Sequence, residues 1–65
     1  NPVHETLNIK TNYKINKLQL IDMYGKVVLE NHNSKTLNVT EAEKGSYLVN
    51  IIMQDSILTR KIILE

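Results

Sequence analysis

The sequence predicts an all-β domain, a small Greek-key β-sandwich of six to seven short antiparallel strands. Three observations carry this. Apolar and polar residues alternate with a period of two along most of the chain. Turn-forming clusters break that alternation about every 8–12 residues, the rhythm of an immunoglobulin-like sandwich. The 65 residues make one domain with one thin core.

The elements follow in order. Leu7 and Ile9 alternate with Asn8 and Lys10, and the polar segment Asn12-Tyr13-Lys14-Ile15-Asn16 separates them from the next strand. There Leu18 and Leu20 flank Gln19, and Ile21 and Met23 take the opposite face. Gly25 then permits a tight reversal at Tyr24-Gly25-Lys26, because glycine reaches positive φ without steric cost. Val27-Val28-Leu29 forms a β-branched run, followed by the polar loop Asn31-His32-Asn33-Ser34-Lys35 and by Leu37 and Val39 around Asn38. Thr40-Glu41-Ala42-Glu43-Lys44-Gly45 has the letters of a helix start, yet it is long enough for a single turn only, and reads as the passage between sheets. Tyr47, Val49, Ile51 and Met53 make the longest alternating face. Asp55-Ser56 reads as a two-residue hairpin connection to the last strand, Ile57 to Leu64, with Leu58, Ile62 and Leu64 on one parity and Arg60 between them.

Composition narrows the function. Without cysteine there is no disulfide framework, thiolate metal site or thiol nucleophile. Eight basic residues against seven acidic ones, a formal charge of +1, are spread along the chain. That balance lacks the basic stripe of a nucleic-acid binder and the polybasic block of a membrane-surface segment. No apolar run approaches the roughly 20 residues of a membrane-spanning helix. The chain opens Asn1-Pro2-Val3, with neither an initiator Met nor a signal segment, and reads as a piece of a longer protein.

Candidate chemistry is sparse. His4 and His32 lack the spacing and the third ligand of a metal site and read as solvated loop histidines. Asp22 stands before the turn, where its carboxylate can accept hydrogen bonds from turn N–H groups; no partner acid or base motif accompanies it. Ser34, Ser46 and Ser56 sit in no nucleophile elbow, and two glycines make no phosphate-binding loop. Three tyrosines, without Trp or Phe, build no stacking platform, and Tyr47 reads as a core residue whose hydroxyl reaches the rim. Asn38-Val39-Thr40 fits an N-glycosylation triplet, and Asp55-Ser56-Ile57 looks like an O-glycosylation signature of one bacterial group; such triplets recur by chance. No residue set suggests catalysis, a cofactor or a small-molecule substrate. Arg60-Lys61 reads as charge protecting an edge strand against unwanted pairing.

The order of the pieces says more. Asn1-Pro2 leads to Leu7-Asn8-Ile9, then to Ile21-Asp22-Met23-Tyr24-Gly25-Lys26-Val27-Val28. Leu37-Asn38-Val39-Thr40, Lys44-Gly45-Ser46-Tyr47-Leu48-Val49 and Thr59-Arg60-Lys61-Ile62-Ile63-Leu64 complete it. This series resembles the type A C-terminal sorting domain of the type IX (Por) secretion system of Bacteroidetes, over essentially the whole chain. Three positions depart from that pattern. Ala42 stands where a larger apolar residue is usual, Ser56 replaces the glycine of the last hairpin, and Arg60 replaces a lysine with its charge kept.

The resemblance implies a non-catalytic signal carried behind an N-terminally fused cargo. Such domains fold in the periplasm and are bound by the outer-membrane machinery, its translocon, shuttle protein and sortase. The cargo ends up secreted or on the cell surface. The residues implied as signal are Gly45, Tyr47, Val49, Arg60, Lys61, Ile62, Ile63 and Leu64, with Asp22, Gly25 and Lys26 as a structural turn. The other reading on the same fold is an immunoglobulin- or fibronectin-like spacer or adhesion module. Free sheet edges also leave self-association through an edge strand open.

Overall fold

A computed structural model describes residues 2–3 and 5–65, the first two through their backbone alone. Among the described residues there are seven strands: β1 (Pro2–Val3), β2 (Thr6–Asn8), β3 (Lys17–Ile21), β4 (Val27–His32), β5 (Thr36–Asn38), β6 (Gly45–Ile52) and β7 (Ile57–Leu64). No helix occurs among the described residues, and the 40–44 stretch is a turn that leads into β6 at Gly45. The larger sheet has the order β1-β7-β6-β3-β4, and β2 and β5 form a second, two-stranded sheet. The expected small β-sandwich is therefore what the chain adopts.

The connections are of Greek-key type. β3 and β4 are hairpin neighbours, β5 crosses to the other sheet, and β6 returns to pair with β3 on its other side. One pairing departs from the antiparallel expectation. β1 runs parallel to β7, with Pro2 opposite Ile63 and Val3 opposite Leu64. It is a short margin strand, where proline is tolerated because no ladder hydrogen bond is demanded of it on the outer side.

The core follows the period-two pattern. Leu18 and Leu20 of β3, Tyr47, Val49 and Ile51 of β6, and Ile62 and Leu64 of β7 point to one face and are buried. Leu37 and Val39 cover them from the β5 side, with Leu7, Ile9 and Ala42 partly buried against the cluster. Ala42 is held there by its N–H, which donates to Val39 O at 3.1 Å. No polar or charged side chain is buried among the described residues.

Four local readings change. Ile15, grouped by sequence with a polar turn, is 2% exposed and belongs to the core. Its neighbour extends the sheet instead: Asn16 N–H donates to Ile52 O and Asn16 O accepts from Asn33 N–H. Met23 faces solvent rather than closing a strand face. β4 runs on to His32, so Asn31 and His32 are strand residues and the loop is confined to 33–35, with Asn33 in the left-handed region at φ 51. Finally, Ile52 pairs with Ile57 and Met53 N–H donates to Ser56 O at 2.9 Å, which puts Gln54 and Asp55 at the hairpin tip. The expected Asp55-Ser56 tip is displaced by one residue because pairing continues through Met53 and Ser56.

Candidate recognition surface

The turn between β3 and β4 is built on Asp22. Its Oδ1 accepts from the N–H groups of Tyr24 and Lys26, both at 2.9 Å. The backbone closes the same loop: Gly25 N–H donates to Asp22 O at 3.1 Å, and Asp22 N–H to Lys26 O at 2.9 Å. Gly25 has φ 88, so the loop Met23-Tyr24-Gly25 needs glycine at its third position. One residue further on, Leu20 pairs with Leu29 and Ile21 with Val27, which leaves Val28 as the bulged residue. The Asp22, Gly25 and Lys26 set thus forms a turn that aims β4 back along β3.

The long hairpin β6–β7 carries the remaining sequence-derived candidates. It opens at Gly45, whose φ of 144 lies in a region that residues with a Cβ rarely adopt. Two residues on, Tyr47 is 8% exposed and its hydroxyl donates to Glu43 O at 2.6 Å. A tyrosine at the start of this strand, bonded back to the backbone a few residues upstream, is the tyrosine corner of immunoglobulin-like sandwiches. It pins the β5–β6 passage onto the core. The Glu43 carbonyl in this bond has no sequence signal of its own.

Register divides the candidates into two groups. Tyr47 faces Ile62, and Val49 faces Arg60, on the inner side of the hairpin. Tyr47, Val49, Ile62 and Leu64 are buried, so each is out of reach of a partner in the folded chain. Arg60, Lys61 and Ile63 are exposed, Ile63 at 43%. Lys61 and Ile63 stand on the solvent face of the large sheet, opposite Leu48 and Ser46. Arg60 is different: it shares the inner parity of Ile62 and Leu64 yet is exposed, because the small sheet does not extend over it. Leu58, on the same parity, is 41% exposed for the same reason.

The edge of β7 is largely open. Met53 N–H bonding to Ser56 O sets which residues turn their backbone toward β6, namely Leu58, Arg60 and Ile62. Ile57, Thr59 and Lys61 consequently turn theirs outward. β1 pairs only at Ile63 and Leu64, so this stretch has no strand partner among the described residues. Thr59 O does accept a bond from the Arg60 guanidinium, Nη1 at 3.1 Å.

Across the solvent face runs a polar row, Glu30-Gln19-Asn50-Thr59, one residue from each of β4, β3, β6 and β7. Gln19 Nε2 donates to Glu30 Oε1 at 2.9 Å, and Thr59 Oγ1 to Asn50 Oδ1 at 2.7 Å. His32 Nε2 meets the other Glu30 oxygen at 2.9 Å, the only salt bridge among the described residues when the imidazole is protonated. The Gln19 bond first and the His32 bond second hold the Glu30 carboxyl below its ordinary value. His32 is therefore an exposed strand residue with a carboxylate partner, and His4 lies outside the described residues. Among the described residues no three His, Asp or Glu side chains come together to hold a metal.

A family model described as the secretion system C-terminal sorting domain matches residues 1–65. The chain belongs to that family. Membership gives it the role of a C-terminal signal in type IX secretion, acting on an N-terminal cargo that is delivered to the cell surface or secreted. No curated protein and no solved structure matches the chain significantly.

Proposed function

We propose that this sorting domain is a non-catalytic signal, fused behind a larger secreted protein, that the outer-membrane type IX machinery reads from its last strand. The supporting observation is the state of β7: Arg60, Lys61 and Ile63 are exposed on a strand whose outer edge has no strand partner from Ile57 to Lys61 among the described residues. An unpaired edge offers main-chain hydrogen bonds to a partner, and the side chains beside it supply specificity. Gly45, Tyr47, Val49, Ile62 and Leu64 act at one remove in this reading, by shaping and holding the hairpin that presents the strand.

The test fuses residues 1–65 to a periplasmic reporter in a type IX-competent host, alongside Arg60→Ala, Lys61→Ala and Ile63→Ala variants. The expected result is surface delivery by the parent and reduced delivery by the variants, each with an unchanged circular dichroism spectrum. A parent fusion that stays periplasmic overturns the reading, and so do variants delivered as well as the parent. Deleting Thr59–Glu65 is a poorer test, because it also removes Ile62 and Leu64 from the core.

A further inference from the structure

The two sheets are unequally matched, and the mismatch leaves a seam. β5 lies beside β4 at one margin of the sandwich, so β2 faces the opposite margin, where β7 runs. Ile9 N–H donates to Lys35 O and Val39 N–H to Glu5 O, so the odd-numbered residues of this segment bond to β5. Thr6 and Asn8 therefore turn their backbone groups outward, with no strand partner among the described residues. At the other margin of the small sheet the situation is reversed. Thr36 O of β5 accepts from Asn31 Nδ2 and Ser34 Oγ, and Thr36 N–H donates to Ser34 Oγ, which cover that edge with side chains.

Between the 9–14 segment that follows β2 and the inner face of β7 lies a groove of about 770 Å³. Its floor is apolar, from Ile51, Met53 and Leu58. Its rim carries Lys10, Lys14 and Arg60 against one carboxylate, Asp55. None of these three cations lies within salt-bridge distance of an acidic group among the described residues. The excess positive charge sits at one level of β7, at Arg60 with Lys61 beside it. The apolar character sits at another, at Ile57 and Leu58.

We propose that this seam is a docking site for an extended partner strand bearing two adjacent aliphatic residues and, one residue further along, two adjacent acidic residues. Paired along the outer edge of β7, such a strand meets the Ile57, Thr59 and Lys61 backbone groups. Its aliphatic pair lies level with Ile57 and Leu58, one side chain on each face, because successive side chains of a strand alternate. Its acidic pair lies level with Arg60 and Lys61 in the same way, the inward carboxylate also within the field of Lys10. The spacer stands opposite Thr59. This names a partner chemistry for β7 and so rests on the reading of that strand as the recognised element.

The probe is an acetylated, amidated pentapeptide Val-Ile-Thr-Asp-Glu, with its reversed sequence, titrated into the isotopically labelled 65-residue chain and followed by amide NMR shifts. A matched peptide with lysines for both acids is the control. The expected result is saturable binding of one acidic peptide at least tenfold tighter than its lysine counterpart, with the largest shifts at Ile57, Thr59 and Lys61. Arg60→Glu and, from the other side of the groove, Lys10→Glu each remove that preference while the remaining spectrum keeps its dispersion. Equal binding of the lysine peptide, shifts centred on β4, or no saturation at several millimolar overturns the proposal. The solution titration reads the seam alone and the reporter assay reads sorting alone, so the failure of one is distinct from the failure of the other.

Discussion

Replacing Tyr47 by Phe removes one atom and tests whether the corner at the start of β6 holds the domain together. The hydroxyl donates to Glu43 O at 2.6 Å from a part-buried position, while the ring stays in the core. A hydrogen bond of this kind contributes about 0.5–1.5 kcal/mol net. Glu43 is exposed, so its released carbonyl finds water and no buried orphan results. The expected loss is accordingly about 1 kcal/mol. A domain of this size has roughly 3–10 kcal/mol in total, and 1 kcal/mol lowers its melting temperature by about 4–8 °C. With a urea slope near ~1 kcal/mol/M, the midpoint falls by about 1 M. Tyr47→Ala, which also empties the ring's place, costs about 3–5 kcal/mol, a large share of that total. Urea titration followed by circular dichroism measures both variants. A Tyr47→Phe midpoint equal to the parent's, or a loss as large as that of Tyr47→Ala, refutes the role given to the hydroxyl.

Other outcomes follow from the same structure. Ile15→Ala is expected to cost about 2–5 kcal/mol as a core truncation, whereas Met23→Ala, on the exposed turn, shifts the urea midpoint hardly at all. Asp22→Ala strips the acceptor from two turn N–H groups and is expected to cost about 1 kcal/mol. Gly25→Ala meets no atom within 4 Å but must hold φ 88, so the cost is backbone strain, on the order of 1 kcal/mol. Both are read from melting temperatures. The Glu30 carboxyl is depressed in the folded state, so its contribution is fully present above its unfolded value and fades as pH falls through the lower folded one. Comparing the acid limb of the stability–pH curve with that of Glu30→Gln checks this; a limb identical in the two chains removes the contribution.

Much of the fold was legible because period-two alternation marks a strand and its buried face at once. Leu18 and Leu20, Tyr47 to Ile51, and Ile62 and Leu64 occupy the core in the parity their spacing foretold. The misreadings share a cause, which is that a local pattern carries no tertiary register. Ile15 is a lone apolar residue among polar ones, and only the passage of the chain under Ile52 gives it a place inside. The hairpin tip shifted by one because Met53 and Ser56 still pair, which turn chemistry does not reveal. β1 is two residues long, and its parallel partner lies 61 positions along the chain, Pro2 against Ile63. For the recognition surface, sequence order pointed to β7 but could not tell its buried residues from its accessible ones where parity and cover disagree, as at Leu58 and Arg60. The seam joins Lys10 and Lys14 to Arg60 across the sandwich, a proximity that no local pattern encodes.

The parallel pairing of β1 with β7 has a consequence in time. The last strand is flanked by β6 on one side and by the first strand on the other, and it supplies Ile62 and Leu64 to the core. A chain interrupted before residue 57 therefore lacks both the neighbour that β1 requires and part of the cover for β6. Its sandwich lacks two core side chains until β7 is in place. A partner that binds only the folded β7 would thereby distinguish a domain with that strand in place from one without it.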